Sequence, residues 1–357
     1  MFSFLFRYIP LKRKAVSTKI CKNLPSVKSE IRQLLKDAPS LITCTTDGWT
    51  SAALDSYIVI TAHFLNADWQ MQGLIIGFEE MAIQHTGENL CEKFVEVVKD
   101  FRIENKIGSI VSDNANNAML GITLAAAELS TGDHTVQAHR CMAHIINLIV
   151  KAGLQTLSQP LETLKAIVKK LRKSNNALTA LEGFCAGNSE KFKMPQKPTP
   201  TRWNSTYTMI ESMAGMKKSL QNVKASGHLE EGLSSENWGK LTLLLKVLHP
   251  FLSATELLSG SSYCTLSLGA EVADNLCKHL SEHAKSCEQI GIKDMIAKLG
   301  EYRSDIYQQS QLPAFLDPRL RHTADDAVIP KVKGMLRVLA PATVEKPKKG
   351  PELPRPS

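Results

Sequence analysis

The chain has 357 residues, 43% of them hydrophobic and 22% charged, which is the composition of an ordinary folded protein with room for one large core or two modest ones. A formal charge of +8 leans weakly towards a polyanionic partner. The eight cysteines (21, 44, 91, 141, 185, 264, 277, 287) are scattered without a Cys-x-x-Cys pair, which argues against a disulfide framework and for a reducing compartment. No run reaches the roughly 18–20 apolar residues of a bilayer span, and Met1–Arg7 lacks the layout of a secretory leader, so no membrane partner is expected. Lys12-Arg13-Lys14 reads either as a fragment of a nuclear address or as a solvated loop.

Residues 26–38 are predicted as a short helix, with Ser26 or Ser29 as its cap and Ile31, Leu34 and Leu35 on one face. Three β-rich runs follow at 41–47, 56–65 and 69–78, the last two joined through Asn66-Ala67-Asp68 as a hairpin. Thr86–Arg102 has helical apolar spacing (Leu90, Phe94, Val97, Val98, Phe101). A strand at 107–112, a helix from Asn114 to Leu129, a short strand at 135–138 and a helix from Met142 to Leu154 complete a β-β-β-α-β-α-β-α order. Beyond about 155 the pattern is helical, with apolar stripes at Leu161, Leu164, Ile167, Val168 and Leu171 and at Trp238, Leu241, Leu244, Leu245 and Leu248. A proline-bearing loop from Ala186 to Thr201 divides the helical blocks. Pro341–Ser357 has no apolar periodicity and is expected to be disordered. The expected divisions are therefore 1–25, 26–154, 155–340 and 341–357.

Two places in this pattern carry chemistry. Asp47 sits where the apolar run Leu41–Cys44 gives way to Thr45-Thr46-Asp47-Gly48-Trp49-Thr50-Ser51. Asp113 ends the strand Ile107–Ser112 and could also cap the helix after it. A carboxylate at each of two strand ends is a donor set for a hard divalent cation and points to metal-dependent phosphoryl transfer on an RNase H-like sheet. His139, Cys141 and His144 lack a fourth ligand at zinc spacing, so zinc is not expected, and Cys141 reads as structural or pocket-lining. Lys165, Lys169, Lys170, Arg172 and Lys173 give one helix a basic side, either a solvated face or a phosphate contact. Trp203 could be core, and Asp317 with Arg319 is read as an ion pair shaping a turn.

These motifs, in order, resemble the hAT-superfamily DNA transposases and the zinc-finger BED proteins derived from them. The matching stretches are Tyr8-Ile9-Pro10, Thr45–Ser51, Val111–Asn117, Cys141–Leu148, Thr201–Thr206, Leu248–Phe251 with Thr255 and Ser259–Ser261, and Leu316–Arg319. The resemblance implies an α/β fold: an RNase H-like mixed sheet, three antiparallel strands and then parallel ones, interrupted by a large all-α insertion. It implies that Asp47 and Asp113 are the first two members of a carboxylate triad binding Mg2+ or Mn2+. It further implies that His144 faces DNA and that Trp203 stacks on a flipped base; Arg202 beside that Trp could pair with a phosphate, and Lys169 and Lys173 are the DNA contacts if the basic side of their helix is not a solvated face. The family's glutamate lies after the insertion, and no counterpart is visible beyond Arg319; an upstream Cys/His finger is likewise not seen. The expectation is thus a catalytically incomplete, transposase-derived nuclear protein that binds DNA or a related chain, with no small-molecule substrate. Two others stand beside it: an active transposase with its glutamate supplied downstream or in trans, and an interaction module built on the helical insertion. Self-association, or association with a full-length relative, is part of the same expectation.

Overall fold

A computed structural model describes residues 12–51, 55–81, 86–285, 290–323, 326–330 and 332–333. The expected disordered tail and the Tyr8-Ile9-Pro10 motif lie outside these residues. Two compact units emerge: residues 1–145 with 261–263, and residues 146–260 with 264–357.

The first unit is built on a five-stranded sheet of order β3-β2-β1-β4-β5, from β1 (Ile42–Thr50), β2 (Ser56–Leu65), β3 (Met71–Glu80), β4 (Ile107–Ser112) and β5 (Gln137–Arg140). The β1–β2 and β2–β3 pairs are antiparallel, whereas β1–β4 and β4–β5 are parallel. Alternation along β2 buries Ile58, Ile60, Ala62 and Phe64, the period-two signature of a strand with one face in a core. Helices α2 (Gly87–Phe101) and α3 (Asn116–Leu129) cover that face, with Phe94, Val98, Ile122 and Ala125 packed among the strand residues. Thr86 caps α2 by accepting the Asn89 N–H at 3.3 Å. Gly121 lets α2 and α3 approach closely: a Cβ there would stand 2.8 Å from Leu90 Cβ and 3.0 Å from the Gly87 carbonyl.

Several boundaries differ from the sequence expectation: β1 runs on to Thr50, past the expected end at 47, and three others have a visible cause. The first helix, α1, runs from Arg13 to Asp37 rather than from 26, and it crosses the expected 25/26 division with Pro25 inside it. Proline removes one backbone donor but does not have to end a helix, and Ser26 bonds to Glu30 within the helix instead of capping a new one. β3 begins at Met71, two residues late. The Asn66 side chain accepts the N–H groups of Asp68 (3.1 Å) and Gln70 (2.8 Å), and Trp69 takes a left-handed φ of 59°, so 66–70 is a closed turn. β5 lies at 137–140, shifted by its parallel register with β4.

The second unit is helical. It holds α4 (Met142–Gln155) from Ile146 on, then α5 (Ser158–Lys173), α6 (Asn175–Gly187), α7 (Trp203–Ala214), α8 (Lys217–Ala225), α9 (Ser235–Leu258), α10 (Gly269–His283) and α11 (Ile292–Leu316). The predicted α5 stripe is fully buried. Among the described residues α9 is long and apolar enough to cross a bilayer, a property the sequence reading did not register. Trp238, Leu241, Leu244, Val247, Leu248 and Phe251 are instead buried in the helical core.

One helix start is completed from a distance. No side chain at Met216 caps α8, and Glu190 does so: Oε1 accepts the Lys218 N–H at 3.1 Å, and Oε2 accepts the Ser219 N–H at 2.9 Å and its hydroxyl at 2.5 Å. Burial pushes the Glu190 carboxyl up, but the bonds from Ser219 and Lys218 outweigh it and hold the group below the ordinary glutamate range. A depressed folded value stabilises above the unfolded value, roughly 4.3, and that contribution disappears as pH falls through the folded one. Thermal melts over the acid range are therefore expected to show a shallower pH dependence for Glu190→Gln than for the parent, with a lower midpoint at neutral pH.

Candidate metal and nucleic-acid sites

The C-terminal ends of three parallel strands meet in the first unit, where open α/β sheets present ligand-binding groups. The β1–β4 register places Thr45 opposite Val111; Asp47, inside β1, and Asp113, just past β4, each follow two residues later. Asp47 is exposed, and its carboxylate has no hydrogen-bond partner among the described residues. Asp113 is half-buried, and its Oδ1 accepts the Ala115 N–H at 3.1 Å, a turn that leads the chain into α3. Cys141 completes the group from the end of β5, its N–H donating to the Ser112 carbonyl at 2.8 Å. Burial pushes its thiol up, and the charges of Asp47 and Asp113 push the same way, while backbone N–H groups of His144 and Ala143 partly oppose them.

Around this cluster, Asn114 is buried and donates to the Cys141 carbonyl at 3.4 Å, and Arg140 donates to its Oδ1 at 3.4 Å. Sequence reasoning assigned no role to Asn114 or Arg140. The only signal for them was their position directly beside Asp113 and Cys141. His144 is half-buried in the first turn of α4. Burial lowers His139, which favours the neutral ring. Gly48 is not demanded by packing, because a Cβ there would make ordinary contact with the Tyr57 carbonyl at 3.6 Å.

The donor set fits one hard cation. Two carboxylates with open lone pairs suit Mg2+ or Mn2+, which keep water in the remaining positions. Among the described residues no group of three His, Cys, Asp or Glu is placed to hold a metal, so neither a third carboxylate nor the His139–Cys141–His144 set joins the pair.

The remaining predicted residues belong to the helical unit. A cavity of about 560 Å3 there is lined by Lys151, Lys165, Lys169, Lys197, Thr206 and Trp203 among others. Lys165 is engaged by Glu162 at 2.7 Å. Lys173 is exposed on α5 and does not line this cavity. Arg202 is exposed at the start of α7. Trp203 is 3% exposed, packs edge-on against Tyr207 with centroids 6.2 Å apart, and leaves its indole N–H buried without a partner. Its backbone N–H donates to Asn147 Oδ1 at 3.3 Å, and the Asn147 amide donates to the Thr201 carbonyl at 3.3 Å. The ring faces are thus covered by protein in this conformation, not presented for stacking. Asp317 and Arg319 form a bidentate pair (2.7 and 3.0 Å), which Ser267 joins at 3.1 Å; the Arg319 guanidinium holds the Asp317 carboxyl far below the carboxylate range.

Fold and site define an RNase-like α/β core followed by a helical domain. Consistent with this, the family model "ZBED1 RNase-like domain" matches residues 45–137 and "ZBED1 RNase-like helical domain" matches 139–247. The chain is similar to the Zea mays protein named "Putative AC transposase" (28% identical, covering 92% of this chain and 42% of the relative). It is also similar to "Zinc finger BED domain-containing protein RICESLEEPER 2" of Oryza sativa subsp. japonica (20%, 86% and 44%) and to "Zinc finger BED domain-containing protein 4" of Homo sapiens (22%, 66% and 20%). It spans less than half the length of these relatives. The chain belongs to the hAT-transposase-derived, BED-type family.

Proposed function

We propose that this protein binds DNA in the nucleus and holds Mg2+ or Mn2+ between Asp47 and Asp113 against a DNA phosphate. The observation that supports this reading is the parallel pairing of β1 with β4, whose last pair, Thr45 and Val111, lies two residues before Asp47 and Asp113. When bound there, the cation supplies charge neutralisation at a phosphate oxygen and acidifies a coordinated water. Asp47 and Asp113 orient it, and Arg140 and Asn114 buttress the Cys141 backbone beside it. Lys151, Lys169 and Lys197 offer ammonium groups to the DNA backbone in the helical unit, supported by the relatives' printed names as transposases. With two carboxylates there among the described residues, the site falls short of the donors that a two-ion cleavage site uses, and on this reading it binds DNA without cutting it.

Equilibrium binding to duplex DNA tests the partner. The logarithm of the binding constant is expected to fall linearly with the logarithm of salt, and Lys169→Ala to lower that slope by about 1. A flat salt response would contradict DNA as the partner. Nicking of the duplex by this chain alone with Mn2+ would show a complete cleavage site and overturn the incompleteness.

A further inference from the structure

The N-terminal part of α1 is amphipathic, and its apolar side is open. From Lys12 to Val27 every residue is exposed, and Val16, Ile20, Leu24 and Val27 recur at helical spacing along one side, with Ile20 59% and Leu24 57% exposed. The same stretch carries Lys12, Arg13, Lys14, Lys19 and Lys22 and no acidic residue. The helical period sets Lys12, Lys19 and Lys22, which share a shallow hollow with Ala15 and Thr18, beside the apolar stripe.

Only the last third of α1 is anchored. Lys28 and Arg32 pair with Asp100 and lie over the Phe101 ring at 5.4 and 5.8 Å, Leu35 is buried, and Lys106 binds the carbonyls of Leu35, Lys36 and Ala38. Residues 12–27 thus stand as about four helical turns held from one end. A helix of that length is marginal in water, because most helical stability in proteins comes from covering an apolar side. A partner that covers Val16, Ile20, Leu24 and Val27 completes it. The anchored end already holds these side chains in register, which lowers the ordering cost of binding.

Chemistry selects the partner. DNA phosphates pair with lysines but leave an apolar stripe in water. Helices that lie in a lipid interface carry Trp, Phe or Leu along the buried side, whereas this side holds two Val, one Ile and one Leu and no aromatic ring. A second α1 is repelled by the same cations. An apolar groove rimmed by carboxylates satisfies both sides at once, and it reads a helix through side chains three and four residues apart, as Val16, Ile20, Leu24 and Val27 are. We propose that residues 12–27 dock into an acidic protein of the EF-hand sensor class. Its calcium-opened, Met-lined groove takes the Val16–Val27 side, and its carboxylate rim meets the lysines.

Calorimetric titration of the full chain with calcium-loaded calmodulin, used as the probe, tests this without DNA. A complex is expected that is lost when EGTA removes the calcium and weakens as salt is raised. Ile20→Asp, at an exposed position, is expected to weaken it at least about tenfold with unchanged circular dichroism and melting, whereas Ile20→Leu should bind as the parent does. The double variant Asp47→Asn with Asp113→Asn should also bind as the parent does, which keeps this result separate from the proposed cation site. Absence of a complex, a complex that persists in EGTA, or one that Ile20→Asp leaves untouched would each overturn the proposal. So would binding to phosphatidylserine vesicles in place of calmodulin.

Discussion

Asp113→Asn is expected to weaken Mn2+ binding by more than the roughly 10- to 100-fold that loss of an outer-shell partner costs a metal site. The substitution is chosen for what it preserves. Asn keeps the Oδ1 that accepts the Ala115 N–H, so the turn into α3 survives while one anionic oxygen is lost. Asp47→Asn should match it in size and leave stability unchanged, because the Asp47 carboxylate bonds to no described residue. Electron paramagnetic resonance of free Mn2+ reads both constants directly. Equal affinity in parent and variants would place the cation elsewhere or nowhere.

Trp203→Ala is expected to destabilise the helical unit by about 3–5 kcal/mol, the range for deleting a buried Trp or Phe side chain. Trp203→Phe should cost far less, because the indole N–H it removes already lacks a partner. The pair of variants separates packing from ligand contact. Denaturant unfolding gives the stabilities, and DNA affinity measured on the folded Phe variant should equal that of the parent. An affinity loss in Trp203→Phe without a stability loss would assign the indole a direct contact.

Much of this fold was legible because strong local patterns agreed with the tertiary solution. The alternation in β2 and the helical spacing of Phe94, Val97, Val98 and Phe101 each had one reading, and both proved to face the first unit's core. Boundaries failed where a side chain overrode propensity, as Asn66 did by closing the turn that delays β3, or where Pro25 was tolerated within α1. Within the site, Asp47 and Asp113 were visible as carboxylates, although β1 runs on to Thr50 and leaves Asp47 inside the strand rather than at its end. Cys141 was read as structural or pocket-lining, but its N–H bond to the Ser112 carbonyl was not legible, since the parallel register of β4 with β5 has no local signal. The burial of Trp203 was one of two readings that the sequence left open. It follows from the Asn147 side chain tying Thr201 and Trp203 to α4 across more than fifty residues. Residues held by long-range contacts are those a linear reading assigns least well.

The central claim is that Asp47 and Asp113 form one cation site, and Fe2+-directed cleavage of the polypeptide tests it most directly. With Fe2+ in place of Mg2+, peroxide and ascorbate generate hydroxyl radicals that cut backbone next to the bound ion. The expected result is cuts near residue 47 within β1 and near residue 113 after β4, both suppressed together by excess Mg2+ and absent in Asp113→Asn. Cuts at only one strand end, or a pattern that Mg2+ does not suppress, would contradict a shared site.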